Sequence, residues 1–109
     1  MTNPLRIIVM GTGPFAVPMF RAALGSRHTI LALVTQPARV GRGNKPAPVS
    51  PMRAVALEHG LPILDPESIN TDEARAALKA FEPDLFLVAD YGQILANETL
   101  DVARLGGIN

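Results

Sequence analysis

Leu5–Ala16, LRIIVMGTGPFA, is the stretch that decides the fold. Leu5–Met10 is a short apolar run rich in β-branched residues. Gly11-Thr12-Gly13 follows at once, so the run reads as a strand ending in a tight turn. Phe15–Leu24 comes next, with Val17, Phe20 and Leu24 on one helical face; Pro18 is tolerable only in a first turn, and Gly25 suits the stop. Thr29–Thr35, TILALVT, is a second apolar strand.

Further on the same alternation repeats. Ser50 is a natural N-cap, Pro51 suits the first helical position and Gly60 the stop, with Met52, Val55, Ala56 and His59 on one face. Leu61–Leu64 is a short third strand. Asn70 with Glu73 three residues later resembles a capping box, and Ala74, Ala77, Leu78 and Phe81 then form an apolar stripe. Leu85–Ala89, LFLVA, is apolar throughout, as expected of a strand covered on both faces. A short helix is expected around Asn97–Ala103. Gly106-Gly107-Ile108-Asn109 reads as the start of a fifth strand, whose unpaired edge could drive self-association. Strand–helix alternation of this kind predicts an α/β fold: a Rossmann-like, doubly wound and mostly parallel sheet with helices on both faces. Ligands on such sheets sit at the carboxyl ends of strands, which singles out the loops Gly11–Phe15, Gln36–Val49 and Asp90–Ile94.

Composition narrows the functional classes. The chain has 109 residues, 48% hydrophobic and 18% charged, which suits one ordered domain and not a disordered segment. It has no cysteine, which removes disulfides, thiolate metal sites and cysteine nucleophiles. Its two histidines, His28 and His59, lack ligand spacing, so no metal site is expected. No apolar run approaches a membrane span, and the start of the chain does not resemble a secretion signal, so the expected setting is cytoplasmic, away from membranes. His59 reads as a partly buried structural histidine and His28 as a solvated loop residue.

The net charge of zero hides a split. Residues 1–57 carry seven bases and no acid, whereas residues 58–109 carry three bases and ten acids, a balance of +7 against −7. Such asymmetry marks either a polyanion-binding face or two halves that attract each other. Arg39, Arg42, Lys45 and Arg53 fall in or beside the Pro-rich stretch 36–49, where no periodicity survives. They read as phosphate contacts to a nucleic acid or as a solvated loop. The stretch has no aromatic residue to stack on bases.

Gly11-Thr12-Gly13-Pro14-Phe15-Ala16 has the spacing G-x-G-x-x-A, the weak form of a dinucleotide fingerprint. The acid that should follow about 20 residues on is missing at Thr35-Gln36-Pro37, and Pro14 removes a backbone donor. The other reading is a tight turn with open amides that could hold some other polar group. Asp90 at the end of an apolar strand could be catalytic, bind a polar ligand or cap a turn. Tyr91 either lines a pocket or packs its ring with the hydroxyl wet.

Taken together, IIVMGTGPFAVP (7–18), VTQPARVGRG (34–43), PAPVSPMRAVALEHGLPIL (46–64), PDLFLVADYGQIL (83–95) and LGGIN (105–109) resemble the folate-dependent formyltransferases, most closely those whose acceptor is methionyl-tRNA. The resemblance implies the N-terminal portion of a catalytic domain over residues 1–109, incomplete, with a basic loop at 36–49. It implies a 10-formyltetrahydrofolate donor and no metal. Tyr91, Gly92, Gln93, Ile94 and Leu95 would line the pterin pocket, and Asn109 would be the catalytic Asn of an Asn-x-His motif. Arg39, Arg42 and Lys45, with Gly11, Gly13 and Phe15, would meet the initiator methionyl-tRNA; no protein partner is implied. Gly13-Pro14 stands where the family usually has Pro-Asp, and Asp90 where a small apolar residue is usual. The family His and Asp have no counterpart in these residues, so this chain alone is expected to be inactive. The alternatives are a sibling enzyme acting on an amino sugar nucleotide or a ribonucleotide amine, a folate-binding module without turnover, and a nucleotide-binding domain.

Overall fold

A computed structural model describes residues 3–38, 43 and 50–109. Five parallel strands form one sheet: β1 (Arg6–Met10), β2 (Thr29–Val34), β3 (Ile63–Leu64), β4 (Leu85–Val88) and β5 (Gly107–Ile108). Their order is β3-β2-β1-β4-β5. The doubly wound, Rossmann-like expectation therefore holds, with the topological switch between β1 and β4.

Alternate residues of the strands feed two separate cores, as the two-residue period of a pleated strand requires. Ile7, Val9, Leu33 and Leu85 point to one face, where Phe20 of α1 (Val17–Leu24) and Met52, Val55 and Ala56 of α2 (Pro51–Glu58) cover them. Ile8, Met10, Val34 and Phe86 point to the other, beneath Ile69 and the Ala74 and Leu78 of α3 (Asp72–Lys79). A 3-10 turn, Pro14–Ala16, precedes α1, so the first helix begins two residues later than the apolar stripe suggests, and Pro18 falls in its first turn. The short α4 (Asn97–Leu100) leads to β5.

Ser50 caps α2 as expected, its hydroxyl accepting from the Arg53 amide at 3.2 Å. The cap of α3 differs from expectation: Thr71, not Asn70, accepts from the Ala74 amide, at 3.1 Å. Asn70 is committed elsewhere, as shown below. Both histidine readings also change. His28 is not merely solvated, because its Nδ1 accepts from the Leu5 amide at 2.9 Å and so fixes the chain as it enters β1. His59 is exposed at the end of α2, with its Nε2 3.9 Å from Glu58.

Asp84 ties the near ends of the strands together. Its carboxylate accepts from the Arg6 amide at 2.8 Å and from Arg104 Nε at 3.2 Å. The Arg6 amide above all, with the Arg104 guanidinium, holds this carboxyl below its ordinary pKa. All the strands then run in one direction, and their carboxyl ends share the opposite edge.

Candidate functional site

At that edge the turn after β1 meets the bend after β4. The Gly11 amide donates to the Val34 carbonyl at 2.9 Å, and the Thr12 and Gly13 amides both donate to the Asp90 carbonyl, at 2.8 and 3.2 Å. Asp90 reaches this position with φ 51°, a left-handed conformation that Asp tolerates better than most residues. The Gly11, Thr12 and Gly13 amides are therefore not open, contrary to one reading of the sequence: protein carbonyls already accept from all three. The Thr12 side chain completes the junction, donating to the Tyr91 carbonyl at 2.8 Å and accepting from the Gln36 amide at 3.0 Å.

Gly11 and Gly13 serve this junction through their lack of a side chain. A Cβ on Gly13 would lie 1.8 Å from Asp90 Oδ2. The Asp90 carboxylate thus occupies the space that a residue larger than glycine would need at position 13. That carboxylate makes no hydrogen bond among the described residues, so the capping role in this turn belongs to the Asp90 carbonyl. Phe15 projects from the same turn and is 86% exposed.

On the other side of β4 lies a crevice of about 280 Å³ lined by Val88, Gln93, Ile94, Leu95, Leu100, Gly107, Ile108 and Asn109. The register explains its position. Phe86 pairs with Gly107 and Leu87 with Ile108, so Asn109 comes just past the last paired residue of β5, beside Val88. The walls are apolar. Of the two carboxamides present, that of Gln93 is spent within the protein. Its Oε1 accepts from the Ile69 amide at 2.8 Å, and its Nε2 donates to Gln36 Oε1 at 2.7 Å. Asn109 makes no side-chain hydrogen bond among the described residues and is exposed. A concave apolar slot with one uncommitted carboxamide at its end fits a flat heteroaromatic ligand.

Of the residues singled out in the sequence, Gln93, Ile94, Leu95 and Asn109 come together here. Gly92, at φ 98°, makes the bend. A Cβ there would come 2.7 Å from Gln36 Nε2, in a conformation that side chains rarely adopt. The Tyr91 side chain does not join the crevice. It is 2% exposed, packed in the core beneath α3, and its hydroxyl has no hydrogen-bond partner among the described residues. The hydroxyl is dry rather than wet, and burial pushes its pKa up to about 12. Folding raises this pKa, so ionisation of this group leaves the fold's stability untouched below pH 10 and erodes it as the pH climbs to about 12. Tyr91→Phe is expected to raise stability by about 1 kcal/mol, because it removes a desolvated, unpaired hydroxyl. It should also flatten the alkaline limb of a urea-midpoint against pH plot. A variant that is less stable than the parent at neutral pH would show that the hydroxyl has a partner.

Arg53 leaves the basic cluster. It lies on α2 with its guanidinium on Asp65 Oδ2 at 2.9 Å and on the Gln36 carbonyl at 3.0 Å, so its charge is neutralised within the fold. Arg39, Arg42 and Lys45 lie outside the described residues. A larger groove of about 540 Å³ opens between β3 and α3, and none of the predicted site residues lines it. Among the described residues no group of three or more His, Asp or Glu side chains converges. No helix of the described residues is long and apolar enough to cross a membrane.

Residues 5–109 match the formyl transferase family model. The chain belongs to the formyl transferase family. It is similar to the methionyl-tRNA formyltransferase of Pseudomonas fluorescens, 48% identical over 110 residues that cover all of this chain and 34% of that protein. It is likewise similar to the methionyl-tRNA formyltransferases of Methylococcus capsulatus, 48% identical over 106 residues (96% of this chain, 34% of that protein), and of Hydrogenovibrio crunogenus, 44% over 110 residues (100% and 35%). The chain spans about a third of the length of the curated relatives it matches. Within this chain, two residues that hold the crevice were not singled out as site residues from the sequence, Gln36 and Asn70. Each is a lone carboxamide in a loop, and only its distant partners reveal its role.

Proposed function

We propose that these residues form the N-terminal part of a catalytic domain that moves a formyl group from 10-formyltetrahydrofolate to the amino group of methionyl-tRNA. The observation that carries this reading is the crevice itself: an apolar slot at the carboxyl ends of β4 and β5 that ends on an uncommitted carboxamide, Asn109. The relatives' names support the reaction class.

The donor, when bound, supplies an electrophilic formyl carbon. Ile94, Leu95 and Val88 would exclude water from one face of its ring, and backbone groups of the bend would read the donor and acceptor edge. The Asn109 Nδ2–H donates to the formyl oxygen as negative charge grows there during amine attack. A preorganised donor of this kind lowers the barrier by about 3 kcal/mol, and being neutral it needs no change of charge to act. The His and Asp that complete the family's proton handling would come from residues other than these, so this chain alone is inactive in our reading. The proposed setting is the cytoplasm.

The basic stretch 36–49 would carry the acceptor contact, with Arg39, Arg42 and Lys45 on tRNA phosphates, and the exposed Phe15 would also meet the tRNA. Gly11 and Gly13 belong to the turn that supports this edge, and their amides are already taken by protein carbonyls. Arg42→Ala is expected to weaken binding of initiator tRNA and to lower the slope of log K against log salt by about 1. Filter binding at several salt concentrations measures both. An unchanged affinity and slope would remove Arg42 from the interface. Thermal-shift titration with NAD and ATP tests the nucleotide alternative, and no shift is expected because the first turn has no open amide pair.

A further inference from the structure

Two carboxamides cross in opposite directions between the β3–α3 segment and the bend after β4. Gln93 reaches out of the bend to the Ile69 amide and Gln36 Oε1, and its Nε2 also donates to the carbonyls of Glu67 and Pro66, at 3.2 and 3.3 Å. Asn70 reaches back. Its Nδ2 donates to the Ile94 carbonyl at 2.8 Å, and its Oδ1 accepts from the Ala96 amide and from the Thr99 hydroxyl, each at 2.8 Å. Asn70 is itself well anchored. Ile69 beside it is 1% exposed, and the Asn70 carbonyl accepts from the Arg75 guanidinium of α3. On the receiving side Thr99 is fully buried.

The bend needs this hold. Residues 89–96 contain no helix or strand, and Ile94 is 89% exposed, so apolar packing does little to fix the wall it forms. From these contacts we infer that Asn70 is a positioning residue for the crevice, acting through Ile94, Ala96 and Thr99 to set the Ile94–Leu95 wall opposite Asn109. It touches no ligand. Its significance for the formyl donor rests on the function proposed above. Holding a binding wall in its bound shape lowers the ordering cost of association, which makes the clamp a determinant of affinity.

The test is amide hydrogen exchange on the wild-type chain, Asn70→Asp and Asn70→Ala, each with and without 5-formyltetrahydrofolate. Asn70→Asp keeps the oxygen that serves Ala96 and Thr99 but sets an acceptor against the Ile94 carbonyl. It is expected to speed exchange across Leu95–Thr99 by about tenfold or more while β1 and β2 keep their protection. It should also weaken the folate about tenfold, with the melting temperature nearly unchanged. Asn70→Ala should do both more strongly. Unchanged exchange in the bend overturns the inference. Faster exchange throughout the fold overturns it too, since Asn70 would then act on global stability. Should wild type show no folate protection while Asn70→Asp still loosens the bend, the clamp stands and the donor-site reading falls.

Discussion

Gly11→Ala is expected to destabilise the fold by about 3 kcal/mol, at the upper end of what overpacking costs. A Cβ at that position would lie 2.8 Å from the Ala16 Cβ, 2.8 Å from the Ala89 carbonyl oxygen and 3.0 Å from the Met52 methyl. The methyl can move. The Ala89 oxygen cannot do so cheaply, because the same residue's amide donates to the Met10 carbonyl at 3.0 Å and holds β4 on β1. Gly25→Ala is the control: its nearest atoms are 3.6 and 3.8 Å away and its φ is −82°, so alanine fits. There the expected effect is neutral or a gain of about 0.5 kcal/mol, from reduced freedom of the unfolded chain. Urea unfolding of both variants at constant m checks the pair. Equal midpoints would mean that the turn can open to admit a methyl group.

The second large effect concerns the proposed chemistry. Asn109→Ala is expected to lower kcat for formyl transfer by about 100- to 1,000-fold, the usual consequence of losing one oxyanion donor. KM for the folate should change little, because the apolar walls from Val88, Ile94 and Leu95 remain. Asn109→Asp keeps the size, removes the donor and places a negative charge beside the developing one, so it should be at least as slow. Both variants are measured with these 109 residues joined to the remaining two thirds of the Pseudomonas fluorescens relative, using methionyl-tRNA as acceptor. A loss confined to KM would make Asn109 a binding residue and sink the proposed role. No transfer by the unmodified fusion would count against the function itself.

These expectations draw on different depths of the sequence. Leu5–Met10 with Gly11-Thr12-Gly13 was legible because a strand's apolar run and the glycines that end it are adjacent in the chain. The same is true of Ser50 and Pro51 at the start of α2, where the cap's partner is three residues away. The crevice was legible in outline because parallel strands place their carboxyl ends on one edge. Its four converging residues were named from the resemblance, not from periodicity.

What the sequence could not give is the choice among equally plausible local partners. Asn70 and Thr71 are both good caps for α3, and Thr71 takes the role because the Asn70 carboxamide is spent on Ile94, Ala96 and Thr99, 24 to 29 positions away. Gln36 and Gln93, 57 positions apart, carry no local sign that they will bond. The glycine turn advertises open amides until the Asp90 carbonyl arrives from the bend after β4 and closes them. By itself the sequence determined strands, turns and the edge on which a site must lie, since short-range sterics and burial period fix those. The tertiary structure decided which polar groups are already satisfied and which remain free to act, since hydrogen-bonding capacity is consumed by whatever the fold brings within reach.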